Sequence, residues 1–166
     1  FVVCGLTTSN SQQIDGVELP HPFSSGWYTY DGSVFECTSH GLDDYKRYLV
    51  NELNKIARVV EEGGIVLEGS NVSTTRYSQT RLTGMTTAVG LDPTRVIDYK
   101  TYDGTWAVLN ATQVESMATG VADHVQDCFT NEKSIHDTID ECTNLIQLQS
   151  VDMTTGWPET IPVETP

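Results

Sequence analysis

The sequence predicts an α+β fold, on three observations. Three stretches carry apolar residues at helical spacing, two strand–turn–strand patterns close on Asp-Gly, and a Gly-Gly pair stands where the first helix should stop. The predicted architecture is helices over about 42–62, 75–89 and 111–148 with two short antiparallel β-hairpins. At 166 residues the chain has the length of one domain or a domain with an appendage. A domain of about 150 residues buries roughly two-thirds of its unfolded surface, so a self-sufficient core is expected.

The first hairpin is read from Gly26-Trp27-Tyr28-Thr29-Tyr30, the turn Asp31-Gly32, and Ser33-Val34-Phe35-Glu36-Cys37, with Pro20 and Pro22 marking loop before it. In the first helix Tyr45, Leu49, Leu53, Ile56 and Val60 recur every three or four residues as one apolar face. Asp43 and Asp44 suit its positive end, and Gly63-Gly64 ends it. Ile65-Val66-Leu67 is a short strand stopping at Gly69. The second helix turns Leu82, Met85 and Val89 inward. The second hairpin runs from Arg95 to Lys100, turns at Asp103-Gly104, and returns from Thr105 to Leu109. Its Val96, Ile97, Tyr99, Trp106 and Val108 all favour strands.

Asn110, with Gln113 three residues on, makes a capping box for the last helix. From there Val114, Ala118, Val121, Val125, Cys128, Glu132, Ile135, Ile139, Cys142 and Ile146 alternate spacings of four and three, a coiled-coil period. Glu132 is its polar intruder, where the helix is expected to bend or restart. The stripe can pack on the chain's own first helix, form a seam with another chain, or divide between the two. It spans about 48 Å against about 30 Å for the first helix, so its second half is expected to be bare. Ile135, Ile139, Cys142 and Ile146 are therefore candidate interface residues, and Ile139→Asp is expected to abolish association while sparing the fold.

Asp and Glu outnumber Lys and Arg by 23 to 9, a net charge of −14. Such a surface repels phosphate backbones and anionic lipid, which argues against nucleic-acid and membrane partners. Its plain reading is solubility at high local concentration. No apolar run approaches the ~18 residues of a membrane span, and nothing resembles a signal peptide. A start at Phe1 rather than Met reads as a cut precursor or as part of a longer chain.

Candidate chemistry is thin. Cys4, Cys37, Cys128 and Cys142 are scattered, with no CxxC pair. Cys128 and Cys142 would lie about 21 Å apart on one helix, too far to bridge. Cys4 and Cys37 could pair, and spacing alone does not decide it. His21, His40, His124 and His136 show no chelating spacing, and no HExxH, phosphate-binding glycine loop or Gly-x-Ser-x-Gly occurs. Asp43-Asp44, Glu61-Glu62 and Asp140-Glu141 neighbour each other as any 23 acids must. Asn71-Val72-Ser73 and Asn110-Ala111-Thr112 match the glycosylation sequon, a pattern common by chance in Ser/Thr-rich chains. Hence no catalytic residue, metal site or cofactor is expected.

One resemblance is specific. Arg58, Gly63-Gly64-Ile65, Gly69, Ser73-Thr74-Thr75-Arg76-Tyr77-Ser78-Gln79, Leu82-Thr83-Gly84, Tyr99-Lys100, Asp103-Gly104-Thr105-Trp106 and Leu109 are followed in order by Val121 to Gln126, Cys128-Phe129, Glu132, Ile139, the apolar run near Leu148 and Gly156-Trp157-Pro158. From about residue 45 this order resembles a family of bacteriophage tail-fibre and tail-fibre-associated proteins. Its members share a C-terminal domain of otherwise unassigned function. Thr75 stands where that family usually has Asp, and Tyr99 where it usually has Trp; Thr still caps a helix and Tyr still fills a strand.

The resemblance implies a virion protein of the tail, in the fibre or baseplate region, assembled in a bacterial host's cytoplasm and working through contacts with other tail, fibre or baseplate proteins. It is expected to act as an oligomer or part of a complex and not as an enzyme. Two alternatives stand beside this: an assembly chaperone bound to a fibre tip, and a carbohydrate-binding receptor module using Trp27, Tyr28 and Tyr30. The same three residues are candidate protein contacts. Residues 1–40 read as a β-rich attachment segment, 41–158 as the tail-fibre-type domain and 159–166 as a polar tail, with Trp157 expected to pack against the domain.

Overall fold

A computed structural model describes residues 26–31 and 33–161. The architecture is α+β: three separate antiparallel hairpins and four helices, in the order β1 (Tyr28–Tyr30), β2 (Phe35–Cys37), α1 (Ser39–Glu61), β3 (Ile65–Leu67), β4 (Ser70–Val72), α2 (Arg76–Leu91), β5 (Ile97–Lys100), β6 (Trp106–Leu109), α3 (Ala111–Glu141), α4 (Leu145–Gln149). Two compact units result, and the division falls within α1 and α3. The first holds the described residues up to Val50 together with Thr138–Val151; the second holds Asn51–Asp137 and the stretch from Asp152. Most of the expected attachment segment lies outside the described residues; its remainder carries β1, β2 and the start of α1.

In the first unit β1 and β2 pair as expected, with Tyr28 opposite Cys37 and Tyr30 opposite Phe35. Asp31 closes the turn by accepting from the backbone N–H groups of Ser33 and Val34, both at 2.8 Å. Helix α1 starts earlier than the periodicity suggested because Thr38 caps it, its Oγ1 accepting from Gly41 N at 2.9 Å. Gly41 is required there: a Cβ on it would lie 2.4 Å from the Trp27 carbonyl oxygen, so only glycine lets the hairpin backbone reach the helix. Tyr45 and Leu49 are buried as predicted.

The long last helix corrects two expectations. It runs through Glu132 without a break and stops instead at Glu141. Asn144 then caps the short α4, its side chain accepting from Gln147 N at 3.0 Å while Gln147 Oε1 accepts from Thr143 N at 2.8 Å. Thr143-Asn144 with Gln147 is thus a second capping box, which outweighed the continuing apolar period.

In the second unit Leu53, Ala57 and Glu61 are the buried line of α1, and Ile56 and Val60 are half-buried. Gly63-Gly64 ends the helix as expected, with Gly64 left-handed at φ +78°. The strand Ile65–Leu67 proves to be half of a third hairpin. Its turn puts both Glu68 (φ +51°) and Gly69 (φ +78°) in the left-handed region, the twist that two-residue hairpins need. Thr75 caps α2, its hydroxyl accepting from Ser78 N at 3.3 Å. Leu82 and Val89 are buried as predicted, with Met85 packed beside them. The Asn110–Gln113 capping box is reciprocal, each backbone N–H bonding the other's side chain at 3.0 Å.

Two apolar clusters hold this unit. Ile65, Val72, Leu82 and Val121 form one, and Val89, Tyr99, Leu109 and Val114 the other; Met85 and Met117 touch both. Each such aliphatic side chain, fully buried, stabilises by roughly 1.5–3 kcal/mol. The stretch after Asp152 belongs here. Trp157 is half-buried with its indole N–H donating to the Met153 carbonyl at 2.9 Å, and Asn131 Nδ2 donates to the Thr155 carbonyl at 3.1 Å. Ile161, read as part of a polar tail, is buried, and its N–H bonds Gly64 O at 3.2 Å.

Candidate functional site: an exposed hairpin face

The residues expected to form a bare seam are mostly not bare. Ile139 is fully buried, and Ile135 and Cys142 are buried with it; only Ile146, on α4, is exposed. The length argument failed because it set one partner helix against the stripe, whereas Ile135 lies in one compact unit and Ile139 and Cys142 in the other. The expectation that Ile139→Asp would spare the fold is overturned with it.

Trp27, Tyr28 and Tyr30 are half-buried and used internally. The Trp27 indole N–H donates to Asp44 Oδ2 at 3.1 Å, and its ring centroid lies 5.8 Å from that of Tyr45. Tyr30 packs on Phe35 at 4.6 Å, and Tyr28 meets Phe35 edge-on at 6.3 Å. This cluster fastens the first hairpin to α1.

The apolar surface left open lies on β5–β6. Register sets Lys100 opposite Trp106 and Asp98 opposite Val108, so these four side chains share one face; Ile97, Tyr99, Ala107 and Leu109 take the other and pack inward. The outer face leaves Trp106 72% exposed and Val108 64% exposed. The preceding Val96 and the turn residue Tyr102 are exposed as well. Asp103 stiffens the turn, its carboxylate accepting from Thr105 N at 3.1 Å and from the Thr101 and Thr105 hydroxyls. Those hydrogen bonds hold its carboxyl below the ordinary range. The result is a two-stranded ribbon with a hydrogen-bonded turn and a Trp between opposite charges, a composition typical of binding anchors.

A second opening in the same unit, about 490 Å³, runs between α2 and α3 past Thr83, Thr87, Ala118, Ala122 and Val125, with half-exposed Phe129 at its side. Four α2 threonines, Thr80, Thr83, Thr86 and Thr87, return their hydroxyls to the carbonyl four residues back, which leaves their methyl groups as outer surface.

The sequence reading treated Trp106 only as a strand former. The missed signal is parity. With Ile97 and Tyr99 inward, the register forces Ala107 and Leu109 inward and the much larger Trp106 outward, which a hairpin does not do to fill its core.

One buried cluster brings nucleophile-type groups together. Cys128 Sγ lies 3.8 Å from His124 Nε2. That nitrogen is 3.1 Å from the Val60 carbonyl oxygen, which can only accept, so it carries the proton and cannot take one from the thiol. Burial, reinforced by the negative charge of Glu61, pushes the Cys128 thiol up to about 11. A thiol protonated at neutral pH is a packing group and not a nucleophile. Cys37 is a free thiol, also pushed up by burial, and Cys4 lies outside the described residues. Among the described residues no group of three or more His, Cys, Asp or Glu could hold a metal ion, and no helix is long and apolar enough to cross a membrane.

Against known proteins, residues 44–155 match a family described as Domain of unknown function (DUF4376). That span is well over half of the 166 residues, and the chain belongs to this family. No curated protein and no solved structure matches it.

Proposed function

We propose that this member of the family is a non-enzymatic structural component of a bacteriophage tail, in the fibre or baseplate region, acting through contacts with other tail proteins. The observation that carries the contact role is the outer face of β5–β6, where Trp106 and Val108 stand exposed on one side of the ribbon. Exposed apolar surface of this kind marks an interaction site, and a Trp desolvated by a partner is a frequent energetic anchor. The tail assignment is supported by the ordered motifs from Arg58 to Gly156-Trp157-Pro158 that resemble tail-fibre-associated proteins.

The test is quantitative protein analysis of purified particles carrying either the wild-type chain or Trp106→Ser. A fixed copy number of the wild type, lowered by Trp106→Ser while the variant's melting curve is unchanged, supports the reading. Absence from particles with no tail protein co-purifying overturns it. Association with fibre protein during assembly and absence from the finished particle would indicate the chaperone role instead.

A further inference from the structure

Nine cations face 23 acids in this chain, so the place of each cation is informative. Arg47, Lys55, Arg58, Arg76 and Lys133 form ion pairs with carboxylates, and Lys46 Nζ donates to the Asp140 carbonyl at 2.6 Å. The remaining three, Arg81, Arg95 and Lys100, have no carboxylate within ion-pair distance among the described residues. They are far apart in sequence, yet they line two hollows of the second unit that share Arg81. Each hollow is thus a local positive patch on a strongly acidic chain, the kind of place that draws an anion.

The two hollows differ. The one holding Arg95, about 390 Å³, also contains Asp98. The other, about 260 Å³, is lined by Arg81, Lys100, Tyr99, Tyr102, Thr101 and the two serines Ser73 and Ser78, with no carboxylate among them. Arg81 is held in place by rings: its guanidinium carbon lies 5.7 Å from the Tyr77 centroid and 6.0 Å from that of buried Tyr99. Ser73 and Ser78 join Thr75 in a chain of hydroxyls at the start of α2, with Ser78 Oγ 2.9 Å from Ser73 Oγ and Thr75 Oγ1 3.1 Å from Ser78 Oγ.

We propose that this hollow binds a phosphate monoester group, with Arg81 and Lys100 neutralising it and the Ser73 and Tyr102 hydroxyls donating to its oxygens. A dianion with three acceptor oxygens uses this many donors more fully than a two-oxygen carboxylate would. Inorganic phosphate and a phosphorylated small molecule present the same chemistry, and the experiment separates them.

The full chain, isotope-labelled, is titrated at low salt with inorganic phosphate, glucose 6-phosphate and glucose while amide shifts are followed by NMR. Saturable shifts are expected at residues 73–78 and 99–102 with the phosphates and not with glucose. Lys100→Gln and Arg81→Gln should each weaken binding about tenfold, the usual loss of one charge-assisted hydrogen bond. Lys133→Gln, remote from the hollow, should change nothing. Tighter binding of glucose 6-phosphate would assign a phosphorylated ligand; equal binding would assign the phosphate group alone. No saturable shift with either phosphate overturns the proposal. Unchanged affinity in Lys100→Gln overturns it too, and because that side chain is exposed the variant keeps its fold.

Discussion

The hairpins β1–β2 and β5–β6 are built alike and used oppositely. Each carries a Trp and a Tyr and closes on a turn tied by an aspartate. In the first, Trp27 is anchored to Asp44 and packed on Tyr45, so its aromatic rings are spent holding a short sheet to a helix. In the second, the packing is done by Ile97, Tyr99 and Leu109, and Trp106 is left in solvent. A two-stranded ribbon is marginal alone and must bury one face; which face is buried decides whether its largest residue is structure or surface.

The sharpest separation is between interior and surface within the first hairpin's own unit. Ile139→Asp puts a carboxylate at a fully buried position, so it should unfold the chain, at a cost of about 4 kcal/mol or more. A folded Ile139→Asp protein in chemical denaturation would show that this part of α3 is surface after all. Trp27→Ala removes a half-buried ring and the donor to Asp44, and about 2–3 kcal/mol of lost stability is expected. Gly41→Ala should cost about 1–3 kcal/mol, since its Cβ must displace the Trp27 backbone. Gly84→Ala, with open space around it in α2, should instead stabilise by about 0.5–1 kcal/mol. Thermal melts of the two glycine variants moving in the same direction would remove the argument from close approach.

Local chemistry was the legible part of the sequence. Asn110 with Gln113, Thr75 before α2, Gly63-Gly64, the pairing of β1 with β2 and the Asp103-Gly104 turn lie where the residues placed them, because each feature depends on neighbours a few positions away. The β3–β4 hairpin was half missed because Glu68 at positive φ is no turn signal; only Gly69 is. The break after Glu141 was present in Thr143-Asn144 and Gln147 but was hidden by an apolar period running straight through it. The candidate sites were least legible. Whether Ile139 is bare and whether Trp106 is covered depend on which parity each element turns inward, and Arg81 of α2 lines one hollow with Lys100 of β5 only through tertiary packing.

Trp106→Ala is the surface counterpart of Trp27→Ala. Its stability cost should stay within about 0.5 kcal/mol, the scale of exposed substitutions, while the proposed contact with a partner protein is weakened. A loss of 2 kcal/mol or more, on the scale of a buried side chain, would mean that the ring is packed in solution and would withdraw the outer face of β5–β6 as a contact surface.

The smallest expected effect compares the two turns. Asp31 accepts from two backbone N–H groups and the Ser33 hydroxyl; Asp103 accepts from one backbone N–H and two threonine hydroxyls. In both, these bonds favour the ionised carboxyl, so its folded pKa lies below the ordinary 3.8. A depressed folded value means the turn's stabilisation is complete above the unfolded pKa and is lost as pH falls through the folded one. Both turns should therefore stay closed at pH 5 and loosen only below about pH 4, near the ordinary aspartate value. Both carboxylates are fully exposed, so the loosening is local. Backbone amide shifts of Ser33, Val34 and Thr105 followed from pH 6 to pH 2 check this, each tracking its own aspartate. Val34 should move more than Thr105, because Asp31 carries two backbone bonds to the single one at Asp103. A midpoint above the ordinary aspartate value at either turn would mean that its carboxyl is not held by these donors, and the likeness between the two hairpins would then end at the sequence.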